Sequence, residues 1–212
     1  MMDKSARDRE QAGVREPVQS RAIRTKKKII DAGAILFGER GYHNVTADEI
    51  ARAAGYSVGT FYAYFSDKRD LFLTVLDEYF SQSDQLLVEG TEAFSSMEKA
   101  DISSFIMKSV NLLVDMHRTA APLLSEVLKM SLADEEVERR LYEVDARITT
   151  LIERALIQAG MDRGRAEAAA FVIYQAGEGI IHQIALGRQQ IDEQAVLTEM
   201  TRLFTAYVRD TI

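Results

Sequence analysis

Within the 212 residues, the side chains best suited to surface chemistry lie between Thr46 and Lys68, in the run TADEIARAAGYSVGTFYAYFSDK. Thr46, Ser57 and Thr60 supply hydroxyls, Tyr62 and Tyr64 supply phenols, and Lys68 supplies an ammonium. Donors of these kinds bond phosphate oxygens. Ser57, Val58, Gly59 and Thr60 are also small, so the backbone that carries them can come close to base edges in a major groove. Either tyrosine could instead be a core aromatic, although Phe61 and Phe65 fit core spacing better. Upstream, Arg21, Arg24 and Lys26 to Lys28 crowd what reads as the start of the first helix, where cations oppose the helix dipole. Phosphate contact, with Lys28 as the candidate, and simple solubilisation both account for them.

Bond-making chemistry finds little material. Three histidines, His43, His117 and His182, are the only imidazoles, and none falls in a metal-ligand spacing. No glycine-rich phosphate loop or nucleophile elbow occurs, and the absence of cysteine removes thiolate metal sites and disulfides. The expectation is a protein without catalytic residues, metal or cofactor. No apolar run is long enough to span a bilayer and the N-terminus is too polar for a signal peptide, so a soluble, cytoplasmic protein is expected.

The elements that must position the donors follow from caps and periodicity. Thr46 with Glu49 three residues later is a capping box, so a helix begins there with Ile50, Ala51 and Ala54 inward. Gly55 ends it, and Ser57 caps a second helix whose Val58 and Phe61 can pack back on the first. Two short helices joined by a glycine turn form a helix-turn-helix, with the second helix set to read DNA. Before it, Ile29, Ile30, Gly33, Leu36 and Phe37 trace the stripe of a scaffold helix ended by Gly41. After it, Ser66 or Asp67 caps a helix from Lys68 towards Val88, followed over Glu89 to Asp101 by a weaker helix or loop in which Gly90 and the polar run Ser95 to Glu98 mark a break.

Residues 25 to 80 resemble the DNA-binding domain of the TetR family of transcriptional regulators. The resemblance rests on Leu36-Phe37, Gly41-Tyr42, Val45-Thr46, Glu49-Ile50-Ala51, Ala54-Gly55, Ser57, Gly59-Thr60-Phe61-Tyr62, Phe65, Lys68 and Leu71, all in register. Gly33, Tyr56 and Tyr64 depart from the usual alanine, valine and histidine. Gly33 costs about 1 kcal/mol of helix propensity and would permit close helix packing. The resemblance implies an all-α protein of about nine helices: a polar, basic, disordered arm over 1–20, a helix-turn-helix domain over 21–67, and a helical effector-binding and dimerisation domain over 68–212. It also implies double-stranded DNA and a small-molecule effector as partners, with repression relieved by that effector. An activator, or a ligand-binding dimer whose DNA binding is not effector-relieved, is the alternative.

Charge divides along the same line. Residues 1–70 hold 13 Lys and Arg against 10 Asp and Glu, a balance of +3, whereas the remainder holds 13 against 23, a balance of −10. A basic head suits phosphates, and an acidic body favours one docking orientation, although most of those acids are also what any solvated surface carries.

In the body, Phe105, Ile106, Ser109, Leu112, Leu113 and Met116 form a stripe, Leu123 to Leu132 a short helix, and Asp134 caps a long amphipathic helix closed by Gly160. Residues from about Arg165 to Leu186 are apolar on nearly all sides, which calls for two packing partners. Asp192 caps a last helix, with Ile191 and Val196 placed for a hydrophobic staple. The helices near 165–186 and 192–210 could therefore form a four-helix bundle between two subunits, or the first could be a buried central helix. A dimer would address a palindrome with half-sites roughly 34 Å apart. For the apolar effector, Met107, Val110, Leu113, Val114, His117, Met130, Tyr142 and Tyr174 could line a pocket, with His117, Glu178 and His182 as polar contacts. Core packing is the competing reading of each.

Overall fold

The computed structural model describes residues 18–95, 101–188 and 190–210. Among them it contains nine α-helices, one 3-10 turn and no strand. Helix α1 (Val18–Arg40) leads through the 3-10 turn Tyr42–Asn44 to α2 (Ala47–Ala53) and α3 (Val58–Tyr62). Then follow α4 (Lys68–Ser95), α5 (Ile102–Thr119), α6 (Ala121–Ser131), α7 (Glu135–Gln158), α8 (Arg163–Ala185) and α9 (Glu193–Arg209).

Helix α1 takes in the last three residues of the expected arm, and the rest of that arm, residues 1–17, lies outside the described residues. The earlier start also corrects the dipole argument. Lys26 to Lys28 lie more than two turns into α1, beyond the reach of its N-terminal partial charge. Lys27 ties α1 to α4 through Glu78, Lys26 sits over the Phe65 ring, and Lys28 is exposed.

The head packs α1, α2 and α3 on the first half of α4. Ile29, Phe37, Ile50, Phe61, Leu71 and Phe72 are fully buried there. Gly33 permits this closeness, because a Cβ on it would stand 2.7 Å from Leu71 Cδ2. Helix α4 runs on through Gly90 to Ser95, so the first part of the weaker helix or loop expected over Glu89 to Asp101 is helix. The same apolar cluster continues into the body through Val127 and Met130 of α6, Val137, Val144 and Ile148 of α7, and Tyr174 of α8.

Two further clusters fill the body. One joins Leu156 and Met161 to Ala166, Ala169, Ala170 and Val208. The other joins Val110 and Val114 of α5 to Ile181 and Ile184 of α8 and Leu197, Met200 and Phe204 of α9. The fully packed face of α5 is thus Ile102, Val110, Val114 and His117, rotated from the expected stripe, of which Leu112 is exposed. The caps at Asp134 and Asp192 form as expected, but Ile191 stands exposed and closes no staple over Val196.

Candidate nucleic-acid interface and effector cavity

Two places collect the candidate residues, and the first is the α2–α3 unit. Its geometry follows from local bonds. Glu49 N–H donates to Thr46 Oγ1 at 3.3 Å while Thr46 N–H donates to Glu49 Oε2 at 2.8 Å, so both halves of the capping box are made. The Thr46 hydroxyl and Arg40 also donate to the Glu49 carboxylate, and together these bonds hold it down at about 2. Gly55 turns the chain with a φ of 82°, a left-handed value that costs glycine nothing. Ser57 Oγ then accepts from Thr60 N–H and opens α3.

Phe61 is the anchor of α3, fully buried under α2, which leaves the opposite face to solvent. Val58 is 37% exposed and Tyr62 57%. Val58 is therefore not part of the buried core with Phe61, and a good part of its side chain meets solvent beside Gly59. Tyr64 is half-buried against the head core.

Lys68 opens α4 as expected, and its ammonium has partners within the protein. Its Nζ donates to Tyr42 O at 2.6 Å and Val45 O at 2.8 Å, and lies 4.2 Å from the centroid of the Tyr42 ring. Burial lowers its pKa. The ammonium clasps the turn after α1 to the start of α4, leaving one of its three N–H groups for a phosphate.

The second place is a cavity of about 690 Å³ lined by α4 to α9. Apolar side chains such as Phe105, Leu113, Leu124, Ile148 and Phe204 make most of its wall. Six of the expected pocket residues line it: Val110, Leu113, His117, Tyr174, Glu178 and His182. Four do not. Met107 contacts Thr201 of α9, Val114 is buried between α5, α8 and α9, Met130 belongs to the head cluster, and Tyr142 points to solvent from the outer face of α7. The α5 stripe that failed as a core face, with Phe105, Ser109 and Met116, lines the cavity.

The polar end of the cavity is a cluster on α5 and α8. Glu178 Oε1 lies 3.1 Å from His117 Nε2 and 3.0 Å from His182 Nε2. Only the His117 contact is a well-aligned hydrogen bond. Burial pushes the Glu178 carboxyl up, but the two imidazoles outweigh it and leave the group well below the usual range. For His117, burial pulls downwards and the Glu178 partner prevails, raising it. Beside them, Tyr174 Oη donates to Asp145 Oδ1 at 2.6 Å. Burial raises both groups.

Two residues escaped the sequence reading. Asp145 is an acid on the apolar side of α7, next to Val144 and one turn from Ile148, and that anomaly was the available signal. Glu126 gave no such signal. It is buried in α6, and its Oε1 accepts from Tyr42 N–H at 2.6 Å, a bond spanning 84 residues.

A helix-turn-helix head carried by a helix that also walls an apolar cavity defines the class of helical DNA-binding regulators with an effector domain. Comparison with known proteins agrees along most of the chain. Residues 29–75 match the model of bacterial regulatory proteins of the tetR family, and residues 101–207 match a tetracyclin repressor-like C-terminal domain. The HTH-type transcriptional regulator YfiR of Bacillus subtilis is 26% identical over 84% of this chain and 88% of its own. A TetR-family regulator from Mesorhizobium loti superposes with a TM-score of 0.74 at 21% identity, covering 90% of this chain and 96% of that one. FadR of Bacillus subtilis, solved in complex with stearoyl-CoA, superposes with a TM-score of 0.57 at 21% identity over 86% and 96% of the two chains. The chain belongs to the TetR family and is a DNA-binding transcriptional regulator, a class whose members are not enzymes. No helix among the described residues is long and apolar enough to cross a membrane.

Proposed function

We propose that this chain is a cytoplasmic repressor that binds a palindromic operator as a homodimer and releases it when a largely apolar small molecule enters the cavity. The observation that carries this reading is the position of the cavity. Tyr79 and Phe80 of α4 and Leu124 and Leu128 of α6 form part of its wall, and these are the two helices that hold the head. A molecule that binds one arrangement of α4 and α6 better than another shifts the head by that difference in affinity and no more.

In this reading residues 21–67 address DNA and residues 68–212 sense the effector and dimerise, with 1–20 as an arm. Val58, Gly59 and Thr60 select bases, while Thr46, Ser57, Tyr62, Tyr64, Lys28 and the remaining N–H of Lys68 meet phosphates. Two heads are needed for specificity, and the exposed apolar faces of α8 and α9 support the pairing. An aliphatic chain suits a wall of Leu, Ile and Phe, and the acyl thioester bound by the FadR neighbour supports that class of effector.

The test is a selection from random DNA with the full chain, followed by fluorescence anisotropy on the enriched sequence at two salt concentrations with stearoyl-CoA as titrant. An enriched palindrome, affinity that falls with salt, severalfold weakening by Tyr62→Phe and release by the thioester are expected. Failure to enrich any palindrome sinks the dimeric-operator reading. Operator binding indifferent to acyl thioesters sinks the acyl class of effector.

A further inference from the structure

The cluster at the polar end of the cavity has features that a hydrogen-bonded carboxylate alone does not explain. His117 Nδ1 lies 2.8 Å from Leu113 O, and a carbonyl can only accept, so Nδ1 carries the proton. Nε2 is thus the ring atom left to meet the Glu178 carboxylate, 3.1 Å away. His182 brings a second Nε2 to 3.0 Å from the same oxygen without an aligned hydrogen bond, although the atom is buried. Two nitrogens and one oxygen thus converge on a common point, all within 4.8 Å of one another. A metal cation placed between them would take all three atoms as ligands.

We propose that His117, Glu178 and His182 form a binding site for a divalent transition-metal ion of the zinc class at the inner end of the cavity. Imidazole nitrogen and carboxylate oxygen are the donors such ions prefer, at about 2.0–2.2 Å, which puts ligand atoms of a tetrahedral shell roughly 3.4 Å apart. The two nitrogen-to-oxygen separations, 3.1 and 3.0 Å, need only a small expansion to reach that shell. Glu178 and His182 stand four residues apart on one face of α8, and His117 reaches them from the last turn of α5. The bond from His117 Nδ1 to the Leu113 carbonyl is the outer-shell contact that typically orients a ligating histidine. Charge also fits. The same wall carries the carboxyl groups of Glu178 and Asp145, acids that a dication attracts. All three ligands line the cavity, so the fourth position opens into it, where water or an oxygen of a bound molecule completes the shell.

The experiment needs neither DNA nor effector, so its outcome is separate from that of the operator and effector readings. The full chain is stripped with a chelator and titrated with Zn2+, with bound metal counted by elemental analysis after dialysis, and Co2+ is then used as a visible-absorption probe. One ion per chain and the intense Co2+ bands of a four-coordinate site are expected. His182→Gln and Glu178→Gln should each weaken binding by roughly 10- to 100-fold or more, the range that even outer-shell losses reach. His43→Gln, which removes the remaining histidine, should leave binding unchanged. Failure to retain an ion, a weak six-coordinate aqua-type Co2+ spectrum, or binding lost only in His43→Gln overturns the proposal. The wild-type Co2+ spectrum decides the matter even if a substituted chain fails to fold.

Discussion

Lys68 and Asp134 have opposite charges and the same task, which is to fasten the root of α4 to its surroundings. Lys68 does it through two backbone carbonyls, so much of its charge is committed inside the protein. Asp134 does it through a two-pronged pair with Arg69 of α4, Nε and Nη2 each at 2.8 Å, while capping α7 through Glu136 and Val137 N–H. The Arg69 guanidinium, helped by the α7 amides, holds the Asp134 carboxyl at about 2, below its usual 3.8. A carboxyl depressed on folding adds stability that is complete above the unfolded value and is lost as pH falls through the folded one. The contribution should therefore disappear between about pH 4 and pH 2. Because Arg69 is nearly half exposed, solvent screening keeps the pair near about 1 kcal/mol. Asp134→Asn keeps a capping acceptor and removes the charge. Urea unfolding should find it about 1 kcal/mol less stable than wild type near neutrality, with the gap closing over that acid window. A gap independent of pH would show that the ion pair contributes nothing.

At the scale of elements, α6 is the piece with two audiences. One face gives Leu124 and Leu128 to the cavity, and the other gives Glu126 and the Pro122 to Leu123 backbone to the head. The contact with α1 is tight at Gly38, where an added Cβ would meet Leu123 N and Pro122 Cβ at 3.0 Å each. A backbone nitrogen cannot rotate away. Gly38→Ala should thus lose about 1–3 kcal/mol to overpacking, more than the roughly 1 kcal/mol that alanine gains in helix propensity. Gly90→Ala, with nothing within 4 Å, should gain that propensity term instead. Opposite signs in urea unfolding are the expected result, and a stabilising Gly38→Ala would mean that α1 and α6 are not so closely held. The same contrast explains what could be read from the chain. Caps at Thr46, Ser57, Asp134 and Asp192 were legible because a cap is a bond between near neighbours. Gly90 reads as a break although α4 passes through it, because a glycine costs a helix interior only about 1 kcal/mol, which the turns on either side of it can outweigh. The α5 face was misjudged because a cavity wall and a core demand the same apolar residues, and sequence periodicity does not say which face meets empty space. The joining of His117 to Glu178 across 61 residues had no local sign at all, although the four-residue step from Glu178 to His182 did.

At the scale of the whole molecule, the chain has apolar surface it does not cover. Phe171 and Val172 of α8 are 57% and 61% exposed, and Leu203 of α9 is 62% exposed with Tyr207 near it in the next turn. Val172 lies opposite Tyr174 and Ile181, which are packed on α8, while Phe171, Leu203 and Tyr207 flank the buried stripes of Tyr174 and Ile181 and of Met200 and Phe204. Such a helix would gain from a second partner, and the homodimer proposed above would supply it with two-fold symmetry. The charge balance has the same consequence for orientation. The acidic body is repelled by DNA and the basic head is attracted, so two bodies joined at α8 and α9 leave both heads free to face one duplex. Placing a carboxylate on each of two facing helices makes the pairing costly without entering the core of either subunit. Phe171→Glu combined with Leu203→Glu should therefore convert a dimer to a monomer in sedimentation equilibrium while helical content and the fluorescence of a cavity-bound probe persist. Operator affinity should fall by at least an order of magnitude, since each monomer keeps one head and loses the joint binding of two half-sites. A doubly substituted chain that still sediments as a dimer would place the interface elsewhere, and a monomer that binds the operator as tightly as wild type would show that one head suffices.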